Sequence, residues 1–445
     1  MAGDLQQLVD RLQRENEQLR QQLAEALARI AELERAAGRQ AAPFRREERL
    51  KVPPAEQKRP GRVSGHEASY RKQPRWVDAE IEVPLPAACP HCGSKVDDRR
   101  PLTQYIEEIP PLRPWVVRLT TWSAACPRCG VVHSTHPLQT SRAQGVAGTQ
   151  LGPRALALAA LLNKQLGLTT RRTCQVLRKV CGLSVSPGGV SQALVRMAGK
   201  LAGEYDALIR QLRSSPAVFA DETSWWVGGS GWWLWAFTTP ETTVYRVDRS
   251  RGSQVVEETL GDYQGMLVSD CLASYDRPQY RKHKCIAHHL RAIKHARDRP
   301  DTPDPRYLDQ WRLLFAAVRA LYHARPVMPS DEFIQRREHV KAWCDQLVQQ
   351  VVTQPGDLAI QNRLGKQWAH LLGCLYEPAA EPTNNRAERA LRPAVITRKL
   401  SCGNKTPRGK RCWEILASLA ATAQQRSEDI VETITRSLSL APQAG

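Results

Sequence analysis

No stretch of this 445-residue chain approaches the unbroken apolar run of a membrane-spanning helix, which needs about 20 residues. The opening segment, MAGDLQQLVDRLQRENEQLR, lacks the charged-then-apolar layout of a secretion signal. The expected location is therefore the cytoplasm. Acidic residues are in short supply: 45 Asp and Glu stand against 64 Lys and Arg, a formal net charge of +19. That surplus favours a polyanionic partner, and nucleic acid over a membrane surface, because the charge is spread along the chain and not gathered in one basic amphipathic helix. A disulfide framework among the twelve cysteines is not expected without export. Apolar residues make up 42% of the chain, enough for real cores, and the length suggests about three or four modules.

The N-terminal 36 residues read as a leucine-zipper-like coiled coil. Leu5, Leu12, Leu19, Ala26 and Leu33 repeat every seven residues, with Val9, Asn16, Leu23 and Ile30 as the second seam. β-Branched residues and a single Asn at these positions favour a parallel dimer, so a homodimer or higher homo-oligomer is expected. A lone amphipathic helix is the plainer alternative. Residues 37–80 form a basic linker, either a solvated spacer or a strap along phosphates. Residues 81–140 carry Cys89-Pro-His-Cys92-Gly and Cys126-Pro-Arg-Cys129-Gly. Two Cys-x-x-Cys turns, each followed by glycine, suit tetrahedral Zn²⁺ in a structural site. The runs TQYIEEI and WVVRLTTW between them are predicted strands of a zinc ribbon. The remaining eight cysteines are expected as small buried residues.

Residues 141–215 are helical in pattern: ALALAALLNKQLG, then TTRRTCQVLRKVCG stopped by Gly182, then a helix starting after Ser186-Pro187. Two short helices around a glycine-containing turn resemble a helix-turn-helix DNA-binding domain. Ser191, Gln192 and Arg196 would lead the reading helix, with Arg171 and Arg172 on phosphates. An ordinary three-helix packing unit fits the same pattern.

From residue 216 the pattern changes to three β-rich runs, a helix, the strand GMLVSD, the short strand HKCIAH and a further helix. That order predicts a ribonuclease-H-like α/β catalytic core over 216–300, within a multidomain α+β chain. Asp221 lies within the first strand and Asp270 at the carboxyl end of the fourth, neighbours in that arrangement. Phosphoryl transfer on DNA by two Mg²⁺ (or Mn²⁺) ions needs such carboxylates, plus a third. Glu388 in PTNNRAERALRP is the candidate, although Asn385 with Glu388 also reads as a helix capping box. Glu222, next to Asp221, faces the other side of a strand. Five tryptophans between 225 and 235 are core residues or a stacking platform for bases. Residues 301–375 read as a helical insertion whose Arg312, Arg319, Arg336 and Arg337 are candidate phosphate contacts. Residues 376–400 carry the third acid, and 401–445 form a helical tail.

VFADET, LVSD, KCIAHHLR and TNNRAERALRPAVITRK resemble the catalytic blocks of insertion-sequence-sixty-six-type transposases, and the resemblance covers most of the chain. It implies a DDE-type enzyme whose metal-binding acids are Asp221, Asp270 and Glu388. It further implies DNA contacts from Arg389, Arg392 and Lys399, cleavage at transposon ends, strand transfer into target DNA, and accessory proteins encoded with the element. The partner would be double-stranded DNA, and the location the nucleoid. Cys285-x-x-His288 resembles an element that follows the second acid in related transposases, against a plain buried Cys and core His. A non-catalytic DNA-binding relic or regulator would keep the same binding modules, and a nuclease on RNA–DNA hybrids would keep the core alone.

Overall fold

The computed structural model describes residues 17–19, 21, 22, 25, 72–96, 100–141 and 149–440. The coiled-coil heptads other than Leu19, and the basic linker as far as residue 71, lie outside the described residues; Leu19 is helical and exposed. The chain divides into two compact units, one of residues 44–115 and one of all the rest.

In the smaller unit the first Cys-x-x-Cys turn is closed by hydrogen bonds from Gly93 N to Cys89 O (2.9 Å) and Cys89 N to Ser94 O (2.8 Å). Gly93 has φ +74°, the left-handed value a side chain would resist. The predicted strand over 103–109 does not form, nor does the one over 115–122. Ile106, Ile109, Trp115 and Val116 remain exposed, and alternation alone makes no strand without a neighbour to complete its ladder. In the larger unit the second turn lies instead between two short antiparallel strands, β1 (Ser123–Cys126) and β2 (Gly130–His133).

Four helices follow: α1 (Pro153–Ala160), α2 (Thr170–Cys181), α3 (Pro187–Lys200) and α4 (Ala202–Arg213), with a π-helical turn at Leu161–Gln165 after α1. Local chemistry sets their ends. The Thr169 and Ser186 hydroxyls accept from Arg172 N (3.4 Å) and Gly189 N (3.0 Å), Pro187 begins α3, and Gly182 ends α2 at φ 68°. Arg171, Arg172, Ser191, Gln192 and Arg196 are all exposed.

The centre is a mixed five-stranded sheet: β3 (Ala217–Val227), β4 (Ser230–Thr238), β5 (Thr243–Asp248), β6 (Met266–Ser269) and β7 (Arg281–Lys284), in the order β5-β4-β3-β6-β7. β3, β4 and β5 are antiparallel, whereas β6 and β7 run parallel to β3. Even-numbered residues of β3, Val218 and Ala220, join a core with Val255, Val256 and Leu260 of α5 (Ser253–Leu260). Odd-numbered Trp225 and Val227 pack under Leu391 and Ala394 of α11 (Asn385–Ser401) and Trp413 of α12 (Pro407–Gln425). Trp225 and Trp235 are fully buried core residues, whereas Trp226 is exposed.

Strand β5 would be an open sheet edge, a row of free amides that invites pairing. Helix α12 covers it. Glu414, Ser418 and Thr422 accept from Val247 N (2.7 Å), Tyr245 N (2.8 Å) and Thr243 N (3.1 Å). The match is geometric: two strand residues advance about 6.8 Å and four helical residues about 6 Å, so side chains one helical turn apart meet alternate amides.

Between β7 and α11 the chain builds a second core. Ile286 and Ile293 of α6 (Ile286–Arg297) pack with α7 (Arg306–Ala324), α8 (Ser330–Gln349), α9 (Pro355–Lys366) and the short α10 (Gly373–Tyr376). Residues 301–375, expected as a helical insertion, are mainly helical, and their core also takes in α6, which the sequence pattern places in the catalytic part. Helix α13 (Ile430–Leu440) follows α12. Among the described residues no helix is long and apolar enough to cross a membrane.

Candidate active site

Asp221 sits in mid-β3 on the face covered by α11 and is only partly open to solvent. Asp270 follows the last residue of β6, the parallel neighbour of β3. Its Oδ1 accepts from Leu272 N at 2.9 Å, which bends the chain away from the strand and aims the carboxylate. Glu388 lies in the first turn of α11, where the helix dipole favours negative charge. The Asp221 carboxyl is pushed well above the ordinary range by burial first, then by the charges of Glu222, Asp270 and Glu388. Asp221 therefore feels the charge of both other predicted acids.

The capping box does not form. The N-cap is Asn384, not Asn385, and its side chain makes no capping bond. Its Nδ2 donates instead to Ala220 O at 2.7 Å, the residue before Asp221. Its backbone N–H donates to the Cys285 Sγ at 3.1 Å. Pro382 O accepts from Ile286 N (3.0 Å) and from His283 Nε2 (3.2 Å). The segment ahead of α11 is thus tied to β3 and to the β7–α6 junction, and Glu388 is delivered by these ties. Glu388 itself has Arg291 Nη2 at 3.8 Å.

Cys285 and His288 play different parts. Cys285 is fully buried, its thiol pushed up by burial, and it serves as an acceptor in the scaffold. His288 is held below its ordinary value by burial, then by Arg291, while Asp270 and Glu388 pull it back up. Its Nδ1 is buried with no hydrogen-bond partner. Two basic groups that composition gave no reason to select lie close by. Arg363 of α9 meets the Cys271 thiol, and its Nε is buried without a partner. Lys284, at the end of β7, is fully buried. Glu222 faces away as expected, accepting from Arg251 Nη2 (2.7 Å) and Tyr275 Oη (2.6 Å).

On α11, positions 388, 392 and 399 share one stripe of the helix. Arg389, Arg392 and Lys399 are exposed. Arg336 is engaged with Glu332 (2.5 Å) and Arg337 with Glu338 (2.9 Å).

The donor set at the sheet end is all carboxylate oxygen, which suits a hard divalent cation. Neither Asp221 nor Asp270 has an ion-pair partner among the described residues. Among the described residues no group of three or more His, Cys, Asp or Glu is close enough together to hold an ion. One thiol of each Cys-x-x-Cys turn is lowered. Ser94 holds the Cys92 thiol below its ordinary value, and the backbone N–H of Arg128 does so for Cys126. Of the eight remaining cysteines, Cys174, Cys285, Cys344, Cys374 and Cys412 are buried, Cys181 and Cys271 half-buried and Cys402 exposed. Cys402 ends α11 in the left-handed conformation at φ 58°.

Two proteins of Sinorhizobium fredii (strain NBRC 101917 / NGR234) are similar to this chain. The uncharacterized protein y4jD is 24% identical, over 79% of this chain and 73% of its own length. The uncharacterized protein y4qI is 25% identical, over 82% and 72% respectively. The model of the Transposase IS66 family matches residues 148–411, a span that runs from the four-helix segment through the sheet, the insertion and α11 into α12. With the acids, their scaffold and more than half of the sequence inside that match, the chain belongs to the Transposase IS66 family.

Proposed function

We propose that the chain is a DDE-type DNA transposase that cuts phosphodiester bonds at the ends of a mobile element and joins the freed 3′-hydroxyl to target DNA. The observation that carries this reading is that Asp221 on β3 feels the charge of both Asp270, at the end of the neighbouring parallel strand β6, and Glu388, on the helix that Asn384 ties to β3. The strand order, three antiparallel strands followed by two parallel ones, supports a ribonuclease-H-like core. Asp221, Asp270 and Glu388 would hold two Mg²⁺ (or Mn²⁺) ions, which supply activation of the attacking oxygen and stabilisation of the leaving one.

The chain's own contribution is orientation and charge. The Leu272 amide fixes the Asp270 carboxylate. Asn384 fixes the distance from α11 to β3. Arg291 and Arg363 place positive charge beside the acids, where a scissile phosphate would bring negative charge. The exposed Arg389, Arg392 and Lys399 extend that basic strip along α11, and Ser191, Gln192 and Arg196 with Arg171 and Arg172 form the proposed helix-turn-helix surface. The basic balance of the chain supports a DNA partner. The zipper pattern at the N-terminus supports a homo-oligomer, and proteins encoded with the element are proposed accessories.

The test is cleavage of duplex DNA carrying the ends of the encoding element. Mg²⁺-dependent nicks with 3′-hydroxyl products on duplex, and not on RNA–DNA hybrids, are expected. Tight binding without any cut in Mg²⁺ or Mn²⁺ points to a DNA-binding regulator and sinks the enzyme reading.

Zinc is the proposed structural cation of the Cys-x-x-Cys turns, because one thiol of each pair, Cys92 and Cys126, is lowered toward the thiolate that zinc requires. Purified protein is expected to carry Zn²⁺ by elemental analysis, and Cys92→Ser or Cys126→Ser to lose it. Cleavage chemistry should be unaffected by zinc itself. Equal zinc content in wild type and both variants refutes the assignment.

A further inference from the structure

Lys284 is the most anomalous charge in the core. Its side chain is fully buried, although a lysine is almost never taken wholly out of water unless its ammonium is compensated. Its polar partners all lie between Ser269, the last residue of β6, and Asp276. Nζ lies 2.7 Å from Asp276 Oδ1, and it donates to Asp270 O at 3.0 Å and Ser269 Oγ at 3.3 Å. One cation therefore grips both ends of the segment that begins with the second acid and ends at Asp276.

The rest of the loop is held from the same side and from the insertion. Lys282, two residues earlier on β7, donates to Asp276 O at 2.7 Å. Gln367, just beyond α9, donates to Asp276 Oδ2 at 3.0 Å. Tyr275 Oη donates to Glu222 Oε2 at 2.6 Å, anchoring the loop to β3 beside Asp221. Lys284 thus holds the backbone carbonyl of Asp270 while Leu272 N holds its carboxylate, so both the backbone that carries the side chain and the side chain itself are restrained.

We propose that Lys284 is a positioning residue for metal binding: its buried ammonium clamps the Asp270 loop so that the Asp270 carboxylate is pre-aimed at Asp221 and Glu388. This rests on the reading of Asp270 as a metal-binding acid. Groups that hold a metal-binding side chain in place commonly matter about 10–100-fold for metal affinity.

The test uses the full chain, with Lys284→Met, Lys284→Arg and, in case the first does not fold, Asp276→Asn. Two quantities are read: amide hydrogen exchange at residues 271–276 in metal-free protein, and the Mn²⁺ concentration for half-saturation by calorimetry. For Lys284→Met the expectation is faster exchange confined to that loop and a half-saturation point raised about 10-fold or more, with partial recovery in Lys284→Arg. Asp276→Asn should show the same two changes in weaker form. A Lys284→Met protein with a lowered melting temperature but unaltered loop exchange and unaltered Mn²⁺ half-saturation overturns the proposal, leaving Lys284 a purely structural cation. If Lys284→Met does not fold, unaltered loop exchange in Asp276→Asn overturns it. A wild type that takes up no Mn²⁺ overturns both this proposal and the metal reading of Asp270, whereas uptake equal in wild type and variants overturns this proposal alone.

Discussion

Asp221→Asn is expected to abolish DNA cleavage and, at neutral pH without metal, to make the protein more stable. The first half follows from the proposed ligand set. An amide cannot supply the negative charge that a divalent ion requires, and the loss in single-turnover cleavage should be roughly 10³-fold or more, the upper end of what removing one electrostatic stabiliser costs. DNA binding, measured by filter retention or anisotropy, should stay within about 2-fold, because the substitution leaves the proposed phosphate contacts, Arg389, Arg392, Lys399 and the helix-turn-helix arginines, in place. The second half follows from linkage. The folded-state carboxyl is raised well above its unfolded value, by burial first and then by Glu222, Asp270 and Glu388. Folding stability from this group is therefore fully present below the unfolded value, near pH 4 by the ordinary scale of about 3.9, and is lost as the pH rises through the raised folded value. The wild type in chelator should melt progressively lower from about pH 4 upward, and Asp221→Asn should not follow that slope. Each kcal/mol relieved should appear as roughly 2–4 °C in melting temperature. Added Mg²⁺ should raise the wild type, by about 2.7 kcal/mol at 100 times its dissociation constant, and leave the variant where it is. A wild type and variant with parallel pH–melting curves would remove the electrostatic basis of the site.

The second large effect is expected at Asn384, a residue that touches neither metal nor DNA in the proposed mechanism. Its amide bond to Ala220 O is fully buried. Asn384→Ala strands that carbonyl and frees the start of α11 from β3. Losing a buried hydrogen bond and leaving its partner unsatisfied costs about 1–3 kcal/mol. The functional cost should exceed the thermodynamic one. A displacement of Glu388 by about 1 Å is enough for a 10²-fold loss of rate. Asn384→Asp is the sharper control, since it keeps the size and replaces the donor by an acceptor facing a carbonyl. It should be at least as damaging as Asn384→Ala. Chemical denaturation gives the stability loss and single-turnover cleavage gives the rate. Full cleavage by Asn384→Ala would mean that α11 is held by other contacts, such as Tyr245 Oη to Ala390 O at 2.5 Å.

Much of the architecture was readable from short-range chemistry. Gly182 and Ser186 mark the boundary between α2 and α3, because a left-handed residue and a hydroxyl cap act within one turn. The opposite facing of Asp221 and Glu222 follows from the two-residue period of a strand. The same reasoning failed over 103–109 and 115–122, where alternating apolar residues suggest strands and none forms. It also left Glu388 undecided, because Asn385 and Glu388 carry the spacing of a capping box.

The sequence by itself determined which residue types sit at which local position: three acids at a mid-strand, a strand end and a helix start, two glycine-ended cysteine turns, and a helix-rich stretch between the second and third acids. Only the tertiary structure decided that α11 is fastened by Asn384 across 164 positions to Ala220, that Cys285 takes a backbone hydrogen bond across 99, and that Glu414, Ser418 and Thr422 close the edge of β5. The reason is range. Periodicity and capping act within a turn or a pleat and leave their mark in neighbouring letters. A donor and acceptor far apart along the chain are chosen by the packing that brings them together, and nothing adjacent to either one announces the other.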